Sequence, residues 1–78
     1  MMTINAMKRN QRAKVTELET NASVREKLCS MGLGPGRSFR LIRNHARQPY
    51  LLGLEGSDTN IALDRELAEG IHVTLLEN

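Results

Sequence analysis

The chain has 78 residues, of which 40% are hydrophobic and 26% charged, and its formal net charge is +2. A chain of this length buries only about 60% of the surface that its unfolded form exposes, which excludes a second independent core. The single cysteine excludes an intrachain disulfide and a multi-thiolate metal site. Because no stretch approaches the roughly 18 to 20 apolar residues of a membrane span, we expect no membrane insertion and a reducing, cytoplasmic location.

The small net charge hides a division along the chain. Residues 1–54 carry ten Lys or Arg and three acids, a balance of +7, whereas residues 55–78 carry one Arg and six acids, a balance of −5. Two interpretations are open: a basic surface that binds phosphate or a partner, or two halves that lie side by side and neutralise each other. The sequence has only two aromatic residues, which argues against a surface that stacks nucleic-acid bases.

The N-terminal part divides into a tail and the start of a domain. Residues 1–12 are polar and basic and have no apolar periodicity, which predicts a disordered tail followed by one ordered domain over 13–78. Met7 lies close to this boundary, so the translation start stays open between Met1, Met2 and Met7. The first predicted strand, Lys14–Leu18, has its apolar residues three apart, which indicates a twist or bulge.

A helix is predicted from Val24 to about Met31. Ser23 and Glu26 have the spacing of a capping box, and apolar residues recur on one face at i, i+4 and i+7. Gly32 is the expected left-handed terminator. The following Gly34-Pro35-Gly36 predicts a tight corner that leads into extended chain.

The remainder of the chain alternates short apolar segments with turns. Strands are predicted over Ser38–Arg43, Tyr50–Leu54, Thr59–Leu63 and Ile71–Leu75, with one helical turn at Asp64–Ala68. The order of one strand, one helix and four short strands is typical of a mostly-β fold that curls into a small barrel of about five strands.

The stretch from Arg25 to Gly36 resembles the signature helix and corner of the FeoA family. Phe39–Arg43 is similar to that family's next strand, and the similarity extends over most of residues 13–75. The matching motif positions are Leu28, Met31, Gly32, Leu33, Pro35 and Gly36. The resemblance implies an SH3-like barrel with one α-helix inserted after the first strand.

The same resemblance implies a function. It suggests a non-enzymatic cytosolic accessory protein of bacterial ferrous iron uptake. The implied partner is the membrane ferrous iron permease with a cytosolic GTPase domain, through which the chain would be held peripherally at the inner membrane.

Catalytic and metal-binding chemistry is sparse in this sequence. Cys29, His45 and His72 are the soft metal-ligand candidates, and their predicted helix, loop and strand positions give no chelate spacing, so no metal site and no cofactor are predicted. Gly32–Gly36 lacks the lysine and hydroxyl of a nucleotide phosphate loop. No hydroxyl has a base near it in sequence, so no catalytic residue is predicted either.

Two exposed regions are candidates for partner contact. One is the exposed side of the Gly32–Gly36 corner with Lys27 and Arg37, and the other is the hairpin around Arg43 and Arg47. Two alternative functions stay open. One is a small SH3-like nucleic-acid-binding protein, which the basic half suits but the scarcity of aromatic residues disfavours. The other is a regulatory module, because the corner also occurs in the SH3-like module of iron-dependent repressors.

Overall fold

The computed structural model describes residues 2–77, which form one antiparallel sheet and one main helix. The strands are β1 (Met2–Thr3), β2 (Arg12–Leu18), β3 (Ser38–Arg43), β4 (Tyr50–Leu54), β5 (Asn60–Leu63) and β6 (Ile71–Leu76), and the helices are α1 (Ala22–Ser30) and α2 (Arg65–Ala68). Within residues 2–77 the strand order of the sheet is β1-β6-β2-β3-β4-β5, and the sheet is not closed between β1 and β5. The predicted mostly-β class is confirmed, with six strands instead of about five.

The additional strand lies in the segment that the sequence predicts to be a disordered tail, and that prediction is wrong. Met2 pairs with Val73 and Thr3 with His72 at the edge of the sheet. A 3-10 turn follows at Ile4–Ala6. Ile4 is fully buried and Met7 is 2% exposed, so two isolated apolar residues anchor the segment to the core. The ordered domain therefore includes residues 2–12.

Two polar residues at the start of helix α1, Asn21 and Ser23, are both of a type that can serve as the N-cap. The N–H of Val24 donates to Oδ1 of Asn21 at 2.9 Å, so Asn21 is the N-cap and the predicted capping box at Ser23 is wrong. Both residue types cap well, and Ser23 lies inside the first turn instead. The buried side of α1 is centred on Leu28, as the spacing predicts.

The C-terminus of α1 is a Schellman motif. The N–H of Leu33 donates to the carbonyl of Leu28 at 2.9 Å, and the N–H of Gly32 donates to that of Cys29 at 3.1 Å. Gly32 has φ +95°, which confirms the predicted left-handed terminator. Leu28 and Leu33 are both buried, so the turn and its apolar contact fix where the chain leaves the helix.

The core is built from alternating positions of the strands together with Leu28 and Leu33. The register between β2 and β6 shifts between Val15 and Glu17, which confirms the predicted irregularity in the first long strand. The two aromatic residues of the chain, Phe39 and Tyr50, are 0% and 1% exposed. Their rings therefore fill the core and present no surface for stacking.

Opposite charges of the two halves of the sequence meet at one place. Among residues 2–77, Arg12 is the only Lys or Arg within 4.0 Å of a carboxylate. Its guanidinium donates to both carboxylate oxygens of Glu55, at 2.7 and 2.9 Å, and to the carbonyl of Glu77 at 2.8 Å. The positive charge of the first half is thus largely left without ion pairs.

The Arg12–Glu55 pair predicts a pH dependence of stability. The hydrogen bonds from Arg12 lower the pKa of Glu55, so the carboxylate stabilises the fold at neutral pH. This contribution is lost as the pH falls below the ordinary glutamate value of about 4.3 and through the lowered pKa of the folded state. We expect the melting temperature of Glu55→Gln to lie below that of the wild type at neutral pH, and the difference to shrink as the pH falls through the lowered pKa of Glu55.

The control for this experiment is Asp58→Asn. Asp58 is exposed and its side chain makes no hydrogen bond to another of residues 2–77, so this substitution should change the melting temperature little at either pH. A difference between wild type and Glu55→Gln that stays constant from neutral to acidic pH would contradict the prediction.

Candidate functional site

The motif residues that suggested a family fall into two groups in the structure. Leu28 and Leu33 are buried, and Gly32 supplies the left-handed turn between them. A Cβ at Gly32 would lie 2.7 Å from Cδ1 of Leu54, so the chain passes too close to β4 for a side chain there. This group builds the helix end and contributes no free surface for a partner.

The second group lies at the exposed corner after α1. Pro35, Gly36 and Arg37 are exposed. The N–H of Gly36 donates to the carbonyl of Val15, and the N–H of Val15 donates to the carbonyl of Arg37, both at 2.8 Å. Gly36 has φ +91° with no atom within 4 Å of an added Cβ, so the corner is fixed through its backbone and open toward solvent.

A small apolar groove lies beside this corner, between α1 and the segment that contains α2. Its volume is about 170 Å³. Partly buried apolar side chains that pack on the core form much of its lining. The groove is lined by Val24, Lys27, Leu28, Met31, Ala62, Leu63, Asp64 and Leu67. It thus combines an apolar floor with one basic and one acidic side chain.

The corner and the groove belong to one surface. Met31, which lines the groove, is the C-cap of α1 and directly precedes Gly32. The guanidinium of Arg37 reaches back toward Gly32, with Nη2 3.9 Å from the position of its absent Cβ. We call this combination of groove and corner the α1 surface; its charged members are Lys27, Arg37 and Asp64.

The structure separates the two predicted contact regions. Arg37 precedes β3 and Arg43 ends it, so their backbones are about 20 Å apart for an extended strand of six residues. Arg47 follows in the β3–β4 loop, further from the corner. Lys27 lines the groove and Arg37 lies at the corner of the α1 surface, whereas Arg43 and Arg47 lie at the other end of β3.

Sequence reasoning missed the wall of the groove opposite α1. Leu67 lies on the four-residue helix α2, which is too short for a periodic pattern to identify its faces. The spacing of Leu63 and Leu67, four residues apart across a helix start, is the signal that the sequence does contain. The two leucines form a wall of the groove because α1 packs opposite them.

The three soft metal-ligand candidates do not meet. Cys29 is exposed on α1, His45 lies in the β3–β4 loop, and His72 on β6 has Nε2 2.8 Å from Oε1 of Glu19. Within residues 2–77 no three His, Cys, Asp or Glu side chains are arranged to hold a metal ion. No helix in the same range is long and apolar enough to cross a membrane.

A second, open cleft of about 370 Å³ is acidic. It is lined by Glu19, Thr20, Glu66, Leu67, Glu69 and Gly70. The N–H of Glu19 donates to the carbonyl of Gly70 at 2.7 Å, which closes the floor of this cleft with backbone. The cleft therefore places three carboxylates together, between α2 and the residues that follow β2.

The family model described as FeoA domain matches residues 2–75. The chain belongs to the FeoA family. The match begins at Met2, so it includes strand β1, which lies in the segment that the sequence predicts to be a tail. No match was found among curated proteins.

Solved FeoA structures share the fold over nearly the whole chain. A crystal structure of an iron uptake regulatory protein (FeoA) is 24% identical, with a TM-score of 0.87 over 96% of this chain and 97% of that one. The solution structure of FeoA from Chlorobium tepidum is 28% identical, with a TM-score of 0.80 over 97% of this chain and 71% of that one.

A third FeoA structure, from Stenotrophomonas maltophilia, is complexed with zinc and described as a unique prokaryotic SH3 domain protein. It is 22% identical, with a TM-score of 0.73 over 95% of this chain and 91% of that one. The predicted SH3-like class and the predicted family are thereby confirmed.

Proposed function

We propose that this FeoA family member is a non-enzymatic accessory protein of ferrous iron uptake that docks, in the cytoplasm, on the cytosolic part of the membrane GTPase permease. The observation that carries the proposal is the family match over residues 2–75. A structure of similar fold is named an iron uptake regulatory protein, and another an iron(II) transport protein, which supports a role in the same process. Ferrous iron is the cargo of the permease in this proposal.

The α1 surface is the proposed docking surface. Protein interfaces place an apolar patch at the centre and charged side chains at the rim. Here Val24, Met31 and Leu67 supply apolar area, and Lys27 and Arg37 lie at its border. The groove fits one or two apolar side chains of a partner segment, with an acidic residue of that segment next to the two basic groups.

The proposed role is non-enzymatic, and this part of the proposal is supported by the polar groups present at the corner after α1. The exposed corner presents backbone, a proline and Arg37, and it contains no nucleophile or base. Zinc is not part of the proposal, because no three His, Cys, Asp or Glu side chains within residues 2–77 are arranged to hold a metal ion. The protein would therefore act through contact alone.

Charge reversal tests the docking surface. We expect the wild type to co-purify with the isolated cytosolic GTPase region of the permease, and Lys27→Glu/Arg37→Glu to weaken that association at least about tenfold, which is about 1.4 kcal/mol. Both side chains are exposed, so the variant should fold. Affinity is measured by titration calorimetry with and without guanine nucleotide.

The matched control is Arg43→Glu/Arg47→Glu, which changes the net charge by the same amount at the other end of β3. It should keep the affinity of the wild type. Failure of the wild type to associate in every nucleotide state would contradict the proposed function. Loss of binding in the control variant alone would contradict the α1 surface and assign docking to the loop end.

A further inference from the structure

The loop end of β3 carries a group of cations that the acidic half of the sequence does not neutralise. Two stretches of the chain, 1–16 and 27–54, contain no Asp or Glu, and the fold brings them together where β2 pairs with β3. Among residues 2–77, none of the cations at this end lies within 4.0 Å of a carboxylate. We call the group the basic end; it consists of Lys8, Arg9, Arg43 and Arg47.

Backbone contacts gather these side chains. The N–H of Asn10 donates to the carbonyl of Leu41 at 2.7 Å, and Nε of Arg9 donates to that of Ile42 at 3.4 Å. Nδ2 of Asn44 donates to the carbonyl of Met7 at 3.4 Å. The turn that bears Lys8 and Arg9 is thus packed against the end of β3, next to the loop that bears Arg47.

Both turns are held in fixed conformations. Asn10 has φ +74° and Arg47 has φ +67°, and they are the non-glycine residues with left-handed backbone in the described chain. Arg65 of α2 secures the loop of Arg47, because its guanidinium donates to the carbonyls of His45 and Gln48 at 2.9 and 3.2 Å. A left-handed arginine is costly and persists only when its surroundings determine it.

Arg65 also stacks on the core of the protein. Its guanidinium carbon lies 4.3 Å from the centre of the ring of Tyr50, and its Nη2 donates to Oδ1 of Asn44 at 3.3 Å. None of these partners is a carboxylate, so the positive charge of Arg65 is not neutralised by them and adds to that of the basic end. A rigid, positively charged loop loses little conformational entropy when it binds an anion.

One donor at the basic end is left without a partner. Nε of Arg43 is buried and makes no hydrogen bond to any of residues 2–77. A buried donor without a partner is uncommon in folded proteins and is satisfied by water or by a ligand. No carboxylate of residues 2–77 lies within 4.0 Å of Arg43, and its planar guanidinium matches phosphate oxygens, so an anion at this end would meet a charge that is not neutralised.

We propose that the basic end binds the anionic phospholipid headgroups of a membrane surface. Lys8, Arg9 and Arg47 are exposed on two neighbouring turns, and Arg43 ends β3 beside them. Neither the apolar groove nor the acidic cleft includes these four residues. Exposed side chains on turns suit a flat surface of phosphates, whereas a protein segment requires a shaped groove. Nucleic acid is disfavoured because both aromatic rings of the chain are buried, which leaves no ring to stack on bases.

The proposal goes beyond docking on the permease and stands without it. A basic end on the bilayer would leave the corner of the α1 surface, which precedes β3 at its opposite end, free for a protein partner. The acidic cleft of Glu19, Glu66 and Glu69 is repelled by anionic lipid. This repulsion favours orientations in which the cleft faces away from the bilayer.

Vesicle co-sedimentation tests the inference with the full chain and no other protein. We expect binding to vesicles that contain phosphatidylglycerol and none to phosphatidylcholine vesicles, with loss of binding as salt shortens the screening length. Each Lys or Arg near an anionic surface is worth roughly fivefold in affinity, so Lys8→Gln/Arg43→Gln/Arg47→Gln should weaken binding about a hundredfold.

The matched control removes the same number of charges elsewhere. Lys14→Gln/Lys27→Gln/Arg37→Gln has the same net charge, and its three positions are exposed away from the basic end. We expect it to bind within about fivefold of the wild type. Equal weakening in both variants would show attraction by net charge alone and overturn the inference.

Two further outcomes would overturn it. One is the absence of binding to the anionic vesicles at low salt. The other is displacement from the vesicles by single-stranded DNA or polyglutamate when the competitor supplies fewer negative charges than the lipid does. That result would make a nucleic acid or an acidic protein the better ligand. Because the vesicles contain no permease, failure here and failure of permease docking are observed separately.

Discussion

Replacing Leu33 with alanine is expected to destabilise the protein by about 3 kcal/mol, within the range of about 2 to 5 kcal/mol for emptying a buried leucine site. Leu33 is 0% exposed and closes the Schellman motif against Leu28. Its loss leaves a cavity at the point where α1, the corner and the sheet meet. Since a domain of this size has a total stability of roughly 4 to 12 kcal/mol, the change is a large part of the whole. Urea denaturation measures it.

The control is Arg37→Gln, four residues further along the same motif region. Arg37 is exposed, so this substitution should change the free energy of unfolding by less than about 0.5 kcal/mol. The two variants separate the motif into a buried part that maintains the fold and an exposed part available for a partner. Similar unfolding free energies for Leu33→Ala and wild type would show that the motif does not anchor the helix end.

The helix and corner could be predicted because their signals are local. Val24, Leu28 and Met31 repeat at helical spacing, and Gly32 follows at the position that needs a left-handed residue. The later strands alternate apolar and polar residues, and turn residues separate them. Each of these signals depends only on neighbours within about one turn or one strand, so the sequence displays it directly.

The N-terminal segment could not be predicted for the opposite reason. Ile4 and Met7 are single apolar residues in a polar stretch, and β1 has only two residues. Their order comes from pairing with β6, about seventy residues away in sequence, and a pairing at that distance leaves no local period. The α1 surface shows the same limit, because its groove is completed by Leu67 on a helix of one turn.

The charge division illustrates a third limit. The sequence shows that the basic and acidic halves differ, but two arrangements satisfy that pattern equally. In the fold, Glu55 meets Arg12, while Glu19, Glu66 and Glu69 line their own cleft. Neutralisation between the halves therefore accounts for one pair among residues 2–77, and the remaining positive charge is left for an external anion.

The N-terminal segment, which the sequence wrongly predicts to be a disordered tail, gives the second large expected effect on stability. Ile4→Ala should destabilise the protein by about 3 kcal/mol, because Ile4 is 0% exposed and large-to-small changes in a core cost about 2 to 5 kcal/mol. A disordered tail would give no change. Lys8→Ala, an exposed position in the same segment, is the control and should change the free energy of unfolding by less than about 0.5 kcal/mol.

A chain shortened to begin at Met7 should lose more stability than Ile4→Ala. It lacks β1 and also Asn5, whose Nδ2 donates to Tyr50 Oη at 3.2 Å and to the carbonyl of Arg65 at 3.1 Å. Because Arg65 secures the β3–β4 loop, hydrogen exchange of the loop amides should rise in the shortened chain before the rest of the sheet opens. Unchanged hydrogen exchange and an unchanged denaturation midpoint would show that residues 2–6 behave as a tail. The expected changes would show that these residues belong to the cooperative folding unit and are coupled through Asn5 and Arg65 to the basic end.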